Sequence, residues 1–329
     1  MKNEIFFNKT TKRKFLKILG VSLIAPVGFA FFNIHKNNNK KSYWRGSVLG
    51  VPSKVELHSS NTDLNHYLVE EIESLVKKYE NTFNIQNNQS EISMLNKYKY
   101  LKNPSTEIID VINKAKLIST HTNGLFDITV QPLWKLYYEH FIIDNKITPP
   151  NSKKIKDVLE LVNWRNVVIE KNEIVLKNNS SITLNGIAQG WITDQIKMLL
   201  SKNGYNNTLV DFGENYASGL FEKKRPWNIL VKGQNASQVV SLTNKAIATS
   251  AGYGTSFESS IQHHHIFNTK NGKSSNNYKS VSIISDRAWM ADSVSTASLS
   301  MTKNQIENIC KRLNLKALVQ KNSTFEEIS

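Results

Sequence analysis

Residues 166–184 have the sequence NVVIEKNEIVLKNNSSITL, and this passage decides the class of fold. It contains three short runs rich in β-branched residues, 166–170, 173–177 and 181–184, separated by residues that favour turns. Runs of this length and composition predict strands, and nothing between them is long enough to form a helix. Strands that follow one another directly favour an α+β fold over a doubly wound sheet with alternating strands and helices.

The residues on both sides of this passage predict helices and further strands. Apolar residues recur at helical spacing over 63–83, 105–122 and 153–161. We expect Ser152 to cap the third helix and Asn123-Gly124 to end the second. Other apolar, β-branched runs predict strands that begin at Thr208, Trp227, Lys245 and Ser280. The sequence shows no internal repeat and no second linker, so we predict a single domain.

The composition is that of a globular, strongly basic protein. The 329 residues are 40% hydrophobic and 21% charged, which argues against disorder, and the formal net charge is +15. Because lysine and arginine are spread from Lys9 to Lys321, the charge reflects either a lysine-covered surface or attraction for an anionic nucleotide or polyanion. The chain has no zinc-finger, RNP-like or basic-helix pattern, and we expect no nucleic-acid partner. Its single cysteine, Cys310, excludes an intrachain disulfide.

The N-terminal segment has the pattern of an export signal. The basic stretch TKRKFLK (11–17) precedes an apolar run from Ile18 to Phe32. Lys12-Arg13 resembles a twin-arginine signal in which one arginine is lysine. We predict that residues 1–33 are an export signal or membrane anchor, 34–44 a polar linker and 45–329 the folded domain. The protein would then lie in the periplasm or on the outer face of the cytoplasmic membrane, with the signal either cleaved or retained as an anchor.

The run MADSVSTASLSM (290–301) is the first candidate for a functional site. In a helix, Asp292 and Thr296 lie on one face at i and i+4, with Ser295 beside them. Oxygen ligands at this spacing suit a hard cation such as Mg²⁺. The alternative is an aspartate in a helix interior that neighbouring hydroxyls satisfy, and these residues alone leave both interpretations open.

Three other segments are also candidates for a functional site. Asp127, in the apolar stretch 122–134, either caps a turn or contacts a ligand. Gly186 and Gly190 lie where a predicted strand meets a helix, a place where the backbone can approach a phosphate. His265 ends a histidine triplet next to the apolar Ile266, so its ring either lies at the wall of a site or is solvated in a loop.

Taken in order along the chain, these and neighbouring segments resemble the ApbE family of flavin transferases, which move FMN from FAD onto a threonine or serine of a target protein. The resemblance spans roughly residues 45–305 and implies a single α+β domain with a T-fold-like core. The segments that carry it are SEISMLN (90–96), TNGLFDITVQPL (122–133), LNGIAQG (184–190), LVDFGEN (209–215), AIATS (246–250), HIFNTKNG (265–272) and MADSVSTA (290–297).

The resemblance implies a magnesium site and an FAD site. The family's acid and threonine that hold Mg²⁺ match Asp292 and Thr296, while Ser295 matches a further position that contributes in some members. The main-chain carbonyl ligand would be that of Gly186, and the catalytic histidine would be His265. The positions that would contact FAD are Leu49, Gln86, Leu125, Phe126, Asp127, Thr183, Gln189 and Ile266.

Several positions depart from the family's pattern. Thr183 replaces an aspartate, Gln189 replaces a lysine, and Asn268-Thr269 replace Asp-Pro. Gln86 stands where an aromatic residue is common, and LGV (49–51) matches the family's M-G-T only at glycine. The cation-binding half of the pattern is therefore intact, whereas the flavin-facing half has changed.

The resemblance implies Mg²⁺ as cofactor, FAD as substrate and AMP as the released product. The acceptor would be an FMN-binding protein of a membrane or periplasmic redox complex, and the N-terminal segment would place the enzyme at the inner membrane. Two alternatives remain open: a protein that binds FAD without transferring FMN, and a pyrophosphatase that hydrolyses FAD to FMN and AMP.

Overall fold

The computed structural model describes residues 41–58 and 61–329. The strands are β1 (Lys41–Val48), β2 (Val51–His58), β3 (Tyr100–Lys102), β4 (Val167–Ile169), β5 (Glu173–Leu176), β6 (Thr208–Asp211), β7 (Asn215–Ser218), β8 (Trp227–Lys232), β9 (Ser237–Leu242), β10 (Lys245–Ala251), β11 (Phe267–Asn268), β12 (Lys273–Ser274), β13 (Ser280–Ser285), β14 (Lys316–Gln320) and β15 (Phe325–Ile328). The α-helices are α1 (Thr62–Phe83), α2 (Glu91–Tyr98), α3 (Thr106–His121), α4 (Gln131–Tyr138), α5 (Ser152–Leu159), α6 (Ala188–Lys202), α7 (Ala288–Ser298) and α8 (Lys303–Leu313).

An eight-stranded antiparallel sheet with the order β1-β2-β6-β7-β10-β13-β14-β15 organises the fold. An antiparallel sheet can bury one face against helices, and here α7 packs on β10 and β13. Helix α6 packs against α7 and reaches β6 and β7. This arrangement places the MADSVSTA segment between the sheet and α6, in the interior of the domain.

The apolar face of helix α1 packs against α6. Asn61 accepts a hydrogen bond from the Leu64 amide at 3.0 Å, a cap that contributes about 1 kcal/mol. The apolar side chains spaced along one face are buried, and they end in Tyr79 and Phe83. Both rings meet the Trp191 indole of α6 edge-on, with centroid separations of 5.1 and 5.5 Å. The apolar stripe of α1 therefore docks this helix onto α6.

Two hairpin turns lie next to each other at the same end of the strands of the large sheet. The β1–β2 turn has Leu49 and Gly50 in the left-handed region, with φ of 50° and 83°, as a two-residue hairpin loop requires. In the β6–β7 turn Gly213 has φ of 89°, and a Cβ there would lie 3.3 Å from Val51 Cγ1 and 3.6 Å from Gln189 Nε2. These contacts bring both turns next to the start of α6.

Smaller units surround this layer. They are a three-stranded sheet with the order β3-β5-β4, the β8–β9 hairpin and the β11–β12 hairpin. A second apolar cluster lies under the histidine-rich loop and is mostly aromatic. Its buried members are Leu133, Tyr137, Tyr138, Phe141, Ile155, Phe257 and Phe267.

The observed elements confirm the α+β prediction and most of the predicted helices and strands. Helices α1 and α3 match their predicted ranges to within a residue, and α3 is followed by Asn123 and Gly124 with φ of 51° and 75°. The strands predicted to begin at Thr208, Trp227, Lys245 and Ser280 begin there.

The strand predicted over 181–184 is wrong. The Ile182 amide donates to Asn96 Oδ1 at 2.7 Å, while Asn96 Nδ2 donates to the Ile182 carbonyl at 2.7 Å. The Thr183 amide donates to the Ile128 carbonyl at 2.8 Å. Because a distant side chain and a loop carbonyl satisfy these backbone groups, the segment does not join a sheet.

Two boundaries also differ from the prediction. Asn151, and not Ser152, caps α5, since its side chain accepts from the Lys153 amide at 2.8 Å. Residues 41–44, predicted as the end of a linker, lie in β1 and pair with β2. The predicted export signal (1–33) lies outside the described residues. Within the described ranges, no helix has the length and apolarity needed to cross a membrane.

Candidate functional site

Asp292 lies in α7 with only 4% of its surface exposed, where α7 meets α6. Its Oδ2 accepts a hydrogen bond from the Gly190 amide at 3.1 Å. The two helices approach closely because Gly190 has no side chain. A Cβ at Gly190 would overlap the Ala288 carbonyl and lie 2.8 Å from Asp292 Cβ. The close approach thus depends on glycine and allows the carboxylate to bond the backbone of the neighbouring helix.

Gly186 lies just before α6, whose N-cap is Ile187. The first amides of a helix have no acceptor within that helix, and the Gly190 amide, which bonds Asp292, is one of them. Within residues 41–58 and 61–329 no hydrogen bond to the Gly186 carbonyl occurs. The lone pairs of this carbonyl are therefore available to a ligand.

Three hydroxyl groups form a cluster beside this carboxylate. The Ser250 hydroxyl, in β10, lies 2.7 Å from Ser295 Oγ and 3.1 Å from Thr296 Oγ1. Ser295 Oγ also donates to the Asp292 carbonyl at 2.9 Å. A Cβ on Gly186 would lie 3.1 Å from Thr296 Oγ1. The structure therefore brings the four predicted metal-site residues together and adds Ser250, which the sequence analysis did not identify as a site residue.

A second buried carboxylate, Glu214, lies near Asp292. It is 7% exposed and accepts a hydrogen bond from the Thr249 amide, while its Oε2 is buried and has no hydrogen-bond partner among residues 41–58 and 61–329. Burial, and then the nearby charge of Asp292, raise the pKa of Glu214 well above its ordinary value. Glu214 was not predicted as a site residue, although it lies in the LVDFGEN segment that carries part of the family resemblance.

The chemistry of this donor set fits a magnesium ion. Burial raises the pKa of Asp292 to about 7, so the dry site disfavours its negative charge in the absence of a cation. The groups that converge are carboxylates, hydroxyls and a carbonyl, all oxygen donors of the kind that Mg²⁺ takes. Among the described residues no three His, Cys, Asp or Glu side chains are placed to share a metal, as a zinc site would require.

Asp194 fixes the start of α7. Its Oδ1 and Oδ2 accept from the amides of Ala288 and Trp289 at 3.0 and 3.1 Å, which caps the helix that carries Asp292. Burial raises the pKa of Asp194 to about 6. Asp194 was not predicted as a site residue either. A signal exists, because Asp194 follows Gly190 by four residues and therefore lies on the same face of α6.

The three consecutive histidines have different environments. His263 stacks on Phe141 at 5.0 Å. His264 is buried; its Nε2 donates to the Ser275 carbonyl at 3.0 Å and its Nδ1 accepts from the Ile266 amide at 3.3 Å. Burial lowers the pKa of His264 to about 4. His264 is therefore a neutral, fully bonded structural residue.

His265 keeps one ring nitrogen available. Its Nδ1 lies 2.9 Å from the Thr255 carbonyl, and because a carbonyl only accepts, Nδ1 carries the proton. In the described ranges no hydrogen bond to Nε2 occurs, so that nitrogen can accept a proton. Burial lowers the pKa of His265 below its usual value, which favours the neutral ring. These are the properties of a general base.

Asp127 caps a turn. Its Oδ1 accepts from the amide and hydroxyl of Thr129 at 2.8 and 2.6 Å, and its Oδ2 accepts from the Trp164 amide at 2.9 Å. These bonds fix the preceding residues, and the Phe126 ring would lie 3.4 Å from a Cβ on Gly186. The loop that contains Leu125 and Phe126 therefore borders Gly186, one of the four predicted metal-site residues.

The histidine segment is tied to the same loop. Thr269 Oγ1 donates to the Gly124 carbonyl at 2.5 Å, and Lys270 Nζ donates to the Asn123 carbonyl at 2.6 Å. Ile266, 6% exposed, packs against the main core. These contacts connect HIFNTKNG with TNGLFD, two segments that are far apart in the chain.

The remaining predicted contact positions are Thr183, Gln189, Leu49 and Gln86. Thr183 is half-buried, and its Oγ1 accepts from the Asn185 amide at 3.3 Å. Gln189 lies beside the β6–β7 turn and Leu49 is in the β1–β2 turn that adjoins it. Gln86 is exposed in the loop between α1 and α2, where its amide donates to Asn84 Oδ1 at 2.8 Å.

Most of this chain is similar in sequence to known proteins. A sequence model described as the ApbE family matches residues 49–319. A protein named FAD:protein FMN transferase from Buchnera aphidicola subsp. Schizaphis graminum is 26% identical over 328 residues, which cover 90% of this chain and 91% of the relative.

Solved structures share the fold. The ApbE protein from Thermotoga maritima aligns with a TM-score of 0.77 and 23% identity, over 88% of this chain and 97% of that chain. The flavin transferase ApbE from Vibrio cholerae aligns with a TM-score of 0.75 and 21% identity, over 87% and 96%. These alignments confirm the predicted single-domain α+β architecture.

Proposed function

The chain belongs to the ApbE family, and from that premise we propose that it is an FAD:protein FMN transferase. The observation that carries the proposal is the convergence of Asp292, Thr296 and Gly186 beside the Phe126 loop. The relatives named FAD:protein FMN transferase support the same activity.

Mg²⁺ would be held by Asp292, Thr296 and the Gly186 carbonyl, with Ser295 beside them. When bound, the ion supplies positive charge that stabilises a pyrophosphate in a dry site. The start of α6 at Ala188 adds backbone amides that favour an anion at the same place. FAD would contact the Leu125–Phe126–Asp127 loop.

The proposed reaction exchanges one phosphorus–oxygen bond for another. The hydroxyl oxygen of a threonine or serine on the acceptor attacks the FMN-side phosphorus of FAD, the pyrophosphate bond breaks, and AMP leaves. His265 Nε2 accepts the hydroxyl proton, because Nδ1 already donates to the Thr255 carbonyl. Catalysis of this type depends mainly on positioning and electrostatic stabilisation.

The test combines the purified full chain with FAD, MgCl₂ and an FMN-accepting domain, and measures flavin fluorescence of the acceptor in a denaturing gel. We expect fluorescence with the wild-type chain and none with Asp292→Ala. If the acceptor stays dark while the Vibrio cholerae enzyme labels it, transferase activity is rejected. Release of AMP without acceptor would identify the pyrophosphatase alternative, and tight FAD binding without either product would identify the binding protein.

We also propose that the protein acts outside the cytoplasm, on an acceptor in a membrane or periplasmic redox complex. The basic and apolar pattern of residues 1–33 supports this proposal. Fractionation of cells that express the tagged full chain tests it, with the Lys12-Arg13 pair changed to alanines as the control. Recovery of both chains in the cytoplasm would contradict the proposal.

A further inference from the structure

The β6–β7 turn places Glu214 beside the cation site. In the sheet, Asn215 pairs with Asp211 in β6 and with Ile247 in β10. Glu214 immediately precedes Asn215 and therefore lies just past the paired part of β7, next to Thr249 in β10. This position is one residue away from Ser250, whose hydroxyl bonds both Ser295 and Thr296.

Two hydrogen bonds to its carbonyl hold the backbone of Glu214 in place. Its carbonyl accepts from the Phe212 amide at 3.1 Å and from Thr193 Oγ1 at 3.5 Å. Gly213, with φ of 89°, provides the left-handed residue that the tight turn needs. The side chain is 7% exposed and accepts from the Thr249 amide.

One oxygen of this carboxylate has no hydrogen-bond partner in the ranges that the structure describes. Oε2 is among the few buried side-chain atoms of the described residues that make no hydrogen bond. A buried carboxylate oxygen without a donor is costly, and the proximity of Asp292 adds repulsion to that cost. Among the described residues no donor reaches this oxygen, so a donor from outside the chain, such as a water molecule, would offset the cost of its burial.

We propose that Glu214 is a positioning residue of the cation site, whose Oε2 accepts a hydrogen bond from a water molecule of the bound Mg²⁺. The proposal rests on the proposed function, because it assumes the cation at Asp292 and Thr296. Mg²⁺ gives up its waters reluctantly and usually keeps several in protein sites, so it presents donors to a nearby carboxylate. Outer-shell partners of this kind contribute 10- to 100-fold to metal affinity.

The experiment measures the dissociation constant of MgCl₂ for the full chain by calorimetry, without FAD or acceptor. We expect Glu214→Gln to weaken Mg²⁺ binding about tenfold or more, since the amide keeps the shape and loses the charge. The matched control is Glu91→Gln. Glu91 is the first residue of α2, and its partly buried carboxylate accepts from the amide and hydroxyl of Ser105. This variant should leave the dissociation constant of Mg²⁺ unchanged. A dissociation constant for Glu214→Gln within twofold of wild type would overturn the proposal.

Calcium separates a positioning role from a structural one. Ca²⁺ takes more protein oxygens and depends less on retained waters, so Glu214→Gln should weaken Mg²⁺ binding more than Ca²⁺ binding. Equal weakening of both ions would indicate a distorted site and reject the proposal. If Glu214→Gln does not fold, Glu214→Asp retains the charge, and we expect it to bind Mg²⁺ more weakly than wild type but with the same preference over Ca²⁺.

The outcome is distinguishable from that of the transfer assay. Mg²⁺ binding that depends on Glu214, in a chain that labels no acceptor, would support this inference and reject the transferase proposal. A wild-type chain that binds Mg²⁺ no better than Asp292→Asn would reject both.

Discussion

The Gly190 amide, one of the first amides of α6, donates to Asp292 Oδ2 at 3.1 Å in the neighbouring helix α7. One hydrogen bond therefore has two effects: it holds the buried carboxylate against α6, and it gives a first-turn amide the acceptor that its own helix does not provide. Both effects require α6 and α7 to approach without a side chain between them. The glycine is thus as much a part of the site as the aspartate.

Gly190→Ala should destabilise the protein. The added methyl group would overlap the Ala288 carbonyl and meet Asp292 Cβ at 2.8 Å, so the helices must separate. Overpacking of this kind costs roughly 1–3 kcal/mol, which urea unfolding can measure. Gly254→Ala is the control, because a Cβ at Gly254 has no atom within 4 Å. Equal stability of the two variants would contradict the close packing of α6 and α7.

Asp292→Asn should stabilise the protein in the absence of magnesium. Burial raises the pKa of Asp292 to about 7 in the folded chain, above the value of about 3.8 in the unfolded chain. The folded state therefore binds more protons between these values, and its stability falls as pH rises from about 4 to 7. The asparagine removes this loss, so the free energy of unfolding at pH 8 should rise by on the order of 2 kcal/mol.

Urea unfolding in EDTA at pH 5 and pH 8 checks this expectation. Asp286→Asn serves as the control, because that carboxylate is exposed and pairs with Lys245. With MgCl₂ present the order should reverse, since only the wild-type carboxylate binds the ion. A variant that is less stable than wild type in EDTA at pH 8 would show that the buried charge is already compensated by the protein.

The sequence predicts those features of the fold that depend on local pattern. The apolar spacing of α1 and the stop at Asn123-Gly124 follow from residues close together in the chain, and both were correctly located. The run 181–184 has strand composition but lies outside any sheet. The side chain of Asn96, which is 86 positions away, bonds both the amide and the carbonyl of Ile182. Local composition contains no information about such a partner.

In the candidate site, too, some residues can be predicted from local sequence and others depend on distant parts of the chain. The i, i+4 spacing of Asp292 and Thr296 is visible in the sequence, and the resemblance to a family predicts the carbonyl of Gly186 as a ligand. The burial of Glu214 depends on the register between β7 and β10, and the role of Asp194 depends on a helix 94 positions further on. Which histidine of the triplet keeps a nitrogen available is determined by the carbonyls of Thr255 and Ser275.

His264 should make the stability of the protein depend on pH. Burial lowers the pKa of this ring to about 4 in the folded state, whereas the unfolded chain has an ordinary value near 6.5. The unfolded state therefore binds more protons between pH 6.5 and 4, and stability is lost as pH falls through this window. From pH 7 to pH 5 the contribution amounts to about 2 kcal/mol.

His264→Gln should remove this part of the pH dependence. Unfolding free energies of wild type and variant at pH 7 and pH 5 give the comparison, with the exposed His66→Gln as the control. The variant should be less stable at pH 7, because it loses the bonds to Ser275 and Ile266, and its stability should change less between the two values. Parallel pH profiles for wild type and His264→Gln would contradict the assignment.

His265→Ala should abolish most of the FMN transfer while leaving the fold intact. The Nδ1 bond to Thr255 leaves Nε2 as the proton acceptor, and loss of a general base lowers rates roughly 10²- to 10⁴-fold. Because burial lowers the pKa of His265, the acid limb of kcat/KM for the wild type should lie below the ordinary histidine value of about 6.5. The variant should lose this limb, whereas His66→Ala should retain both rate and profile. Transfer by His265→Ala at the wild-type rate, measured from pH 5 to 8 with circular dichroism as the check on folding, would remove His265 from the mechanism.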